Sequence, residues 1–185
     1  MHSTSCYLIK IPGKALRQSR NHEFAFQNNI HCKMTPSTPR IIPPLWFLAG
    51  LIVMIVLNSF APIGRWLHYS WRYSGIILIV AGVLLGVGSG MLFRRLGTNP
   101  KPGARANVIV TKGVFRYTRN PMYLGLIVTL IGTSILLGTI SPLFVIPIVF
   151  LTLHIQFVLR EEKWMEEWFG QPYLDYKSKT PRWLF

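Results

Sequence analysis

Three stretches of the chain contain no aspartate, glutamate, lysine or arginine, and they constrain its fold more than any other feature. They cover residues 41–64, 73–93 and 120–159. A bilayer core of about 30 Å needs about 20 helical residues to span it, and backbone polar groups in lipid must be paired within helices or closed barrels. Charged residues make up only 14% of the chain, whereas soluble domains carry about 25%. The sequence therefore predicts transmembrane helices.

Four helical segments fit into these stretches. We expect an all-α integral membrane protein with about four transmembrane helices and a C-terminal helical hairpin, because only the junction Ile140-Ser141 separates the last two segments. A shallow hairpin that does not fully span remains an alternative. Gly82 and Gly86 form a small-xxx-small pair, which lets another helix approach closely. The segments are Leu45–Ala61, Trp71–Phe93, Pro121–Ile140 and Pro142–Leu159.

The net charge of +14, from 20 basic and 6 acidic side chains, indicates an anionic partner. Nucleic acid is disfavoured as that partner, because a nucleic-acid-binding domain does not normally carry such long neutral apolar blocks. An anionic membrane surface or an anionic ligand fits better. The two cysteines, Cys6 and Cys32, both precede the apolar body, which argues against a disulfide framework or a thiolate metal site in that body.

The loop over residues 94–120 is basic and contains no acid, so the positive-inside rule places it in the cytoplasm. Four crossings then put both termini on the same side. Residues 1–40 are also basic and lack an apolar period or a secretory signal. We expect a disordered tail there, although Met34 could be the true start. The basic residues of the loop are Arg94, Arg95, Lys101, Arg105, Lys112, Arg116 and Arg119. We expect the first four of them to meet anionic lipid headgroups.

Two polar stretches, residues 108–125 and 160–183, flank the predicted hairpin. Because its two helices return the chain to the same membrane face, a basic loop with glycine and aromatic residues should face a cluster of carboxylates. Such a cleft suits a ligand that carries both anionic and cationic groups. Four motifs stand out in these stretches: Thr111-Lys-Gly113, Arg119-Asn-Pro-Met-Tyr-Leu-Gly125, Glu161-Glu162, and Phe169-Gly-Gln-Pro-Tyr-Leu-Asp-Tyr176 followed by Pro181-Arg182.

The order and spacing of these motifs resemble the isoprenylcysteine carboxyl methyltransferase family, taken broadly with the phospholipid N-methyltransferases. The resemblance covers residues 94–185, which would form the methyltransferase-like region with the hairpin and a C-terminal amphipathic helix. Residues 41–93 would contribute two transmembrane helices that resemble the family only in character. The resemblance implies an S-adenosylmethionine-dependent transfer of a methyl group to a lipophilic small molecule or lipid, through a carboxylate or an amine.

The resemblance also implies a cofactor pocket at the cytosolic face. It assigns no catalytic residue and no metal. Two positions depart from the family pattern: Asn120 replaces its histidine, and Phe157 occupies the place of an arginine used toward substrate, which weakens prenylcysteine as the acceptor. The implied cofactor contacts are Asn107, Val108, Ile109, Val110, Phe115, Asn120, Pro121, Met122, Tyr123 and Glu161.

Physical chemistry gives a compatible interpretation of the same residues. Glu161 could hold the ammonium or ribose hydroxyls of S-adenosylmethionine, and the N–H groups of Met122 and Tyr123 could hold its carboxylate. Aromatic side chains could pack the adenine or lie near the sulfonium. Methyl transfer from an activated donor depends mainly on alignment, so a metal is not needed and a carboxylate acceptor needs no general base.

Simpler structural interpretations exist for most of these residues. Asn120 and Pro121 could only cap and start a helix. Glu162 and Glu166, four residues apart, could form the solvated face of a helix. The tryptophans at 164, 168 and 183 favour an interfacial aromatic belt. His154 suits a pocket or interhelical packing equally well.

Two other functions remain open. The chain could be a non-catalytic membrane protein that binds anionic lipids or a partner through its basic face. It could also be a reductase of the sterol-reductase type, whose C-terminal region resembles this family, although the chain is short for that and shows no separate dinucleotide fingerprint.

Overall fold

The computed structural model describes residues 43–67, 69–97, 106 and 108–184. The predicted N-terminal tail, residues 1–40, lies outside them. Within the described ranges the chain is helical, with one isolated antiparallel bridge between Arg65 and Thr139. The α-helices are α1 (Pro43–Phe60), α2 (Tyr69–Arg72), α3 (Ser74–Arg95), α4 (Pro121–Leu137), α5 (Val145–Leu153), α6 (Leu159–Phe169) and α7 (Gln171–Lys179).

Three helical segments are long and apolar enough to cross a membrane: Pro43–Phe60, Ser70–Arg95 and Ser141–Phe169. The apolar helix α4, Pro121–Leu137, is shorter. An all-α integral membrane protein is thereby confirmed.

One predicted segment end was wrong. The third segment stops at Leu137 instead of Ile140 because Gly138 adopts φ 73°, the left-handed conformation that commonly ends helices. The fourth predicted segment, Pro142–Leu159, is followed without a break by α6. The chain stays helical to Phe169, because the charges after Leu159 mark the end of the apolar surface and not the end of backbone hydrogen bonding.

Helices α3 and α4 pack with their backbones in contact. A Cβ atom added to Gly82 would lie 2.6 Å from the carbonyl oxygen of Gly125, and one added to Gly125 would lie 2.6 Å from that of Gly82 and 2.7 Å from the nitrogen of Gly86. One added to Gly132 would lie 2.7 Å from the carbonyl oxygen of Gly75. Real Cβ atoms do not fit at such distances. The close approach expected from Gly82 and Gly86 is confirmed, and it fixes α4 against α3.

Helix α1 packs against α5. A Cβ at Gly50 would lie 2.8 Å from Cγ2 of Val149, so this crossing is also close. The buried apolar core lies where α1, α4 and α5 meet, and its members are Met54, Tyr123, Ile127, Leu130, Val145, Val149, Leu153, Phe157, Val158 and Trp183.

The tip of the α4–α5 hairpin is tied to the loop between α1 and α2. The Ile140 N–H donates to the Ile63 carbonyl at 3.1 Å, and the Thr139 hydroxyl donates to Oδ1 of Asn58 at 2.8 Å. Nε of Arg72 donates to the Leu136 carbonyl at 2.9 Å. These bonds satisfy polar groups at one end of the bundle. The polar motifs of the sequence lie at the other end.

The segment from α5 to α6 changes its helical form on the way to that end. Residues His154–Val158 form a π-helical turn between α5 and α6. Such a turn inserts an extra residue into the helix and is frequent at functional sites. It shifts which side chains of α6 face α4, and it directly precedes the pair Glu161 and Glu162.

Candidate functional site

A cavity of about 290 Å³ lies at the end of the bundle where α4 begins and α6 follows α5. Its walls come from the starts of α1 and α4, from α3, α6 and α7, and from the segment before α4. The lining residues are Pro43, Pro44, Gly86, Phe93, Ala106, Ile109, Val110, Phe115, Arg119, Asn120, Pro121, Met122, Tyr123, Leu126, Glu161, Glu162, Trp164, Met165, Trp168, Tyr173 and Tyr176.

The start of α4 forms one wall. Pro121 occupies the first helical turn, where its missing N–H is not needed. The first N–H groups of a helix have no intrahelical acceptor, and at this end they belong to Met122 and Tyr123. The Asn120 side chain makes no capping bond. Its Nδ2 instead donates to the Arg182 carbonyl at 3.2 Å, so Asn120 does more than start a helix.

Glu161 and Tyr123 connect α6 to α4 across the cavity wall. The Tyr123 hydroxyl donates to Oε1 of Glu161 at 2.7 Å, and both side chains line the cavity. The tyrosine is only 5% exposed. This hydrogen bond ties the Glu161 carboxyl group to the start of α4 beside the cavity.

The interpretation of Glu162 as part of a solvated helix face was wrong. Glu162 is buried. Its carboxylate accepts from Nε of Arg182 at 2.9 Å and from Nη2 of Arg182 at 2.8 Å, and Nη1 of Arg119 lies 3.3 Å from Oε1. The carboxylate is buried because the chain after α7 folds back over α6.

This returning segment, residues 180–184, is called the C-terminal strap below. The backbone N–H of Arg119 donates to the Pro181 carbonyl at 3.0 Å, and the Thr118 hydroxyl donates to the Arg182 carbonyl at 2.9 Å. The strap therefore holds the segment that leads into α4. Trp183 is 7% exposed and belongs to the core, so its assignment to an interfacial belt was wrong.

Trp183 packs against α5 and the π-helical turn. Its ring centroid lies 5.0 Å from that of Phe150 and 6.0 Å from that of His154. The His154 ring also stacks on Phe150, at 5.9 Å with an interplanar angle of 6°, and His154 is not among the cavity-lining residues. Packing is therefore its role in the described structure. Trp164 and Trp168 differ, since they are half-buried and line the cavity with rings stacked 6.2 Å apart.

Two tyrosines of α7 close a further wall. The Tyr176 hydroxyl donates to the Phe115 carbonyl at 2.6 Å. The pKa of Tyr173 is raised to about 12, mainly by burial and to a lesser extent by the negative charge of Glu162. The pKa of Tyr176 is also raised, mainly by burial and to a lesser extent by the neighbouring Tyr173. Both phenols are therefore neutral near pH 7 and can act as hydrogen-bond donors.

The glycine turn positions the segment beside α3. Gly113 has φ 63°, a conformation that glycine adopts without steric cost, and it opens a single 3-10 turn, Gly113–Arg116. The turn buries Phe115, whose ring lies 4.9 Å from that of Phe93 in an edge-to-face contact. Ile109 and Val110 therefore run along the cavity.

Most predicted site residues meet in this cavity. Eight of the ten line it: Ile109, Val110, Phe115, Asn120, Pro121, Met122, Tyr123 and Glu161. Val108 is 49% exposed and is not a lining residue, and Asn107 lies outside the described residues. The sequence reasoning missed Arg119, Glu162, Tyr173 and Tyr176 as wall residues, although all four lie within the motifs it singled out.

Comparison with known proteins gives the family. A family model described as phospholipid methyltransferase matches residues 71–172, which is more than half of the chain. This chain belongs to the phospholipid methyltransferase family. The segment that defines the family includes α3 to α6, and hence the glycine turn, the start of α4 and Glu161. The two α7 tyrosines and the strap follow the matched segment.

Two curated relatives of this phospholipid methyltransferase family member carry the name protein-S-isoprenylcysteine O-methyltransferase. The protein from Schizosaccharomyces pombe is 31% identical over 75 residues, which are 40% of this chain and 32% of the relative. The protein from Saccharomyces cerevisiae is 35% identical over 76 residues, 40% of this chain and 31% of the relative. The match therefore spans about a third of the length of these relatives.

Proposed function

We propose that this chain is an S-adenosylmethionine-dependent methyltransferase of the membrane that acts on a lipophilic small molecule or lipid. The observation that carries the proposal is the cavity that joins the start of α4 to Glu161, at the end of an apolar helix, Ser141–Phe169, long enough to cross a membrane. Membership of the phospholipid methyltransferase family supports it.

The lining residues fit this donor. S-adenosylmethionine supplies a methyl group already activated on a sulfonium. Glu161 offers a fixed carboxylate for an ammonium or for hydroxyl groups, and the free N–H groups at the start of α4 attract an anionic group. Phe115 and Trp164 offer apolar and aromatic surface, which suits a purine or a cation.

The protein's contribution to such a transfer is binding, alignment and exclusion of water. A well-aligned pair of reactants can recover about 7–11 kcal/mol of the barrier. The close contacts of Gly75, Gly82 and Gly86 of α3 with Gly125 and Gly132 of α4 are called the glycine seam. This seam and the strap hold α4 in place, so the groups at its start are preorganised. Trp164, Met165 and Trp168 line the cavity on the α6 side and limit access of water from that direction.

The acceptor is proposed to present a carboxylate or an amine on an apolar body. The position that resembles an arginine site of the isoprenylcysteine enzymes is Phe157, whose side chain is 2% exposed and lies 6.4 Å from the Tyr123 ring. Phe157 offers no cation to an acceptor carboxylate. This favours a lipid or lipophilic molecule other than prenylcysteine.

We also propose that the cavity faces the cytoplasm. Arg94 and Arg95 are exposed at the end of α3, and the next helix, α4, starts at the cavity. Basic residues at helix ends favour the cytoplasmic side. Both termini would lie on that side if α4 and the segment after it cross as a pair. In a background with Cys6 and Cys32 replaced by serine, accessibility of single cysteines introduced at Arg95 and at Arg65 tests the orientation, with only the former predicted to be reached from the cytoplasm.

Titration calorimetry on the full chain in detergent tests the proposed function. Wild type should bind S-adenosylmethionine, Glu161→Ala should bind it more weakly, and Glu167→Ala should behave like wild type because Glu167 is exposed on the same helix. Far-UV circular dichroism confirms that each variant is folded. Absence of binding by folded wild-type protein would contradict the proposal.

A further inference from the structure

Arg119 is a buried cation with unused hydrogen-bonding capacity on the cavity wall. Its side chain is 8% exposed, and it lines the cavity. Its Nε and Nη1 atoms are buried without a hydrogen-bond partner among the described residues. The side chain has an ion pair with Glu162 and a hydrogen bond with Tyr173, but neither satisfies these two atoms. Buried donors without an acceptor are costly, so they call for one.

The nearest carboxylate is already committed to another arginine. Glu162 receives two hydrogen bonds from Arg182, at 2.9 and 2.8 Å, whereas Arg119 approaches the same carboxylate only at 3.3 Å and without hydrogen-bond geometry. One carboxylate therefore stands against two guanidinium groups. This cluster carries one surplus positive charge, and Arg119 is the arginine of the pair whose unpaired donors are buried.

A second group favours negative charge on the same wall. The start of α4 presents the free N–H groups of Met122 and Tyr123, and both residues line the cavity together with Arg119. The N-terminus of a helix carries about half a positive charge. A rigid fork of guanidinium donors beside such a terminus matches the geometry of a carboxylate or a phosphate.

We propose that Arg119 and the start of α4 form a subsite for an anionic oxygen group of a bound ligand, a carboxylate or a phosphate. The inference deepens the proposed function and rests on it for one source of that group, the carboxylate of the methyl donor. The other source is the phosphate of a lipid acceptor. Glu162 and Arg182 act as positioning residues that hold Arg119 in place.

The test compares ligands with and without the anionic group. Calorimetry on the full chain in detergent would use S-adenosylmethionine, its decarboxylated analogue and dioctanoyl phosphatidic acid. The variants are Arg119→Gln and Arg119→Lys. The control is Arg116→Gln, which removes an exposed arginine three residues earlier. Circular dichroism and gel filtration report folding, and Arg119→Lys keeps the buried charge if Arg119→Gln does not fold.

Loss of a charge-assisted hydrogen-bonding group should weaken binding roughly 10- to 100-fold. If the methyl donor supplies the anion, Arg119→Gln weakens binding of S-adenosylmethionine by that factor and leaves binding of its decarboxylated analogue unchanged. If the acceptor supplies the anion, only binding of phosphatidic acid is weakened. Arg119→Lys should lie between wild type and Arg119→Gln, since it keeps the charge and loses the fork. Arg116→Gln should match wild type for every ligand.

Two results would overturn the subsite: no change for any ligand, or equal weakening of S-adenosylmethionine and its decarboxylated analogue, which would assign Arg119 a structural role. Wild-type protein that binds phosphatidic acid through Arg119 but does not bind S-adenosylmethionine would support the subsite and contradict the proposed function. The two failures are thus distinguishable.

Discussion

Replacing Glu162 by alanine tests whether the strap is held by its buried carboxylate. The side chain of Glu162 is 5% exposed, and its carboxylate forms ion pairs with Arg182, which is 32% exposed, and with Arg119, which is 8% exposed. Removing one partner of a buried ion pair costs about 3–5 kcal/mol because the other charge stays uncompensated. Arg182 can regain water at the surface, which lowers this cost. We expect Glu162→Ala to reduce the unfolding free energy by about 2–4 kcal/mol.

The assay is reversible unfolding of the detergent-solubilised full chain by a stronger detergent, followed by far-UV circular dichroism. Glu166→Ala is the matched control, since the ion pair between Lys177 and Glu166 has side chains 35% and 34% exposed and should contribute less than about 1 kcal/mol. A double-mutant cycle of Glu162→Ala with Arg182→Ala should give a coupling of about 1.5–3 kcal/mol.

Equal stability of Glu162→Ala and wild type, or a coupling below about 0.5 kcal/mol, would refute the assignment of Glu162 as the strap's anchor. An equally large loss of unfolding free energy in Glu166→Ala would also refute this assignment, because burial of the ion pair would then not determine how much stability is lost.

Three further predictions concern α4 and its ends. Gly82→Val should lower the unfolding free energy by at least about 1–3 kcal/mol because of overpacking, whereas Gly88→Val should be nearly neutral, since a Cβ there meets nothing within 4 Å; similar losses in the same unfolding titration would rule out the glycine seam. Gly138→Ala should cost about 1–2 kcal/mol, because φ is 73° and the new Cβ would lie 2.7 Å from Cδ of Arg72; an unchanged unfolding midpoint would contradict this. Tyr123→Phe removes the 2.7 Å bond to Glu161 and should weaken S-adenosylmethionine roughly 2- to 10-fold by calorimetry, an effect that must disappear in a Glu161→Ala background.

The sequence was most informative about local structure and about which segments lie in the membrane. Pro121 predicted the start of α4, and the pair Gly82 and Gly86 predicted a close approach by another helix, which α4 makes through Gly125. The charge-free stretches predicted the membrane helices because lipid excludes charge along the whole span.

It was least informative where distant segments meet. Glu162 and Glu166 have helical spacing, and only the fold shows that Arg182 covers the first and leaves the second half-buried. Tryptophan is typical of membrane interfaces, but the strap places Trp183 in the core, where it packs against Phe150. Charge after Leu159 ends the apolar surface without ending the helix, since backbone hydrogen bonds persist in water and in lipid alike.

Some of the proposed cofactor contacts could be foreseen from the sequence and others could not. The predicted hairpin pairs α4 with the segment Ser141–Phe169, and this pairing brings Asn120, Tyr123 and Glu161 together. Gly86 and Phe93 enter the cavity from α3, and nothing in their local sequence indicates this. A wall contributed by a neighbouring helix becomes visible only from the crossing of α3 and α4.

Transfer of a labelled methyl group is the most direct test of the proposed methyltransferase activity. Membranes that contain the full chain would be incubated with S-adenosylmethionine labelled on its methyl group and then extracted into organic solvent. We expect label in a lipid-soluble product, less label with Glu161→Ala, and wild-type levels with Glu167→Ala. Wild-type membranes with no more organic-phase label than membranes without the protein, at confirmed expression and folding, would contradict it.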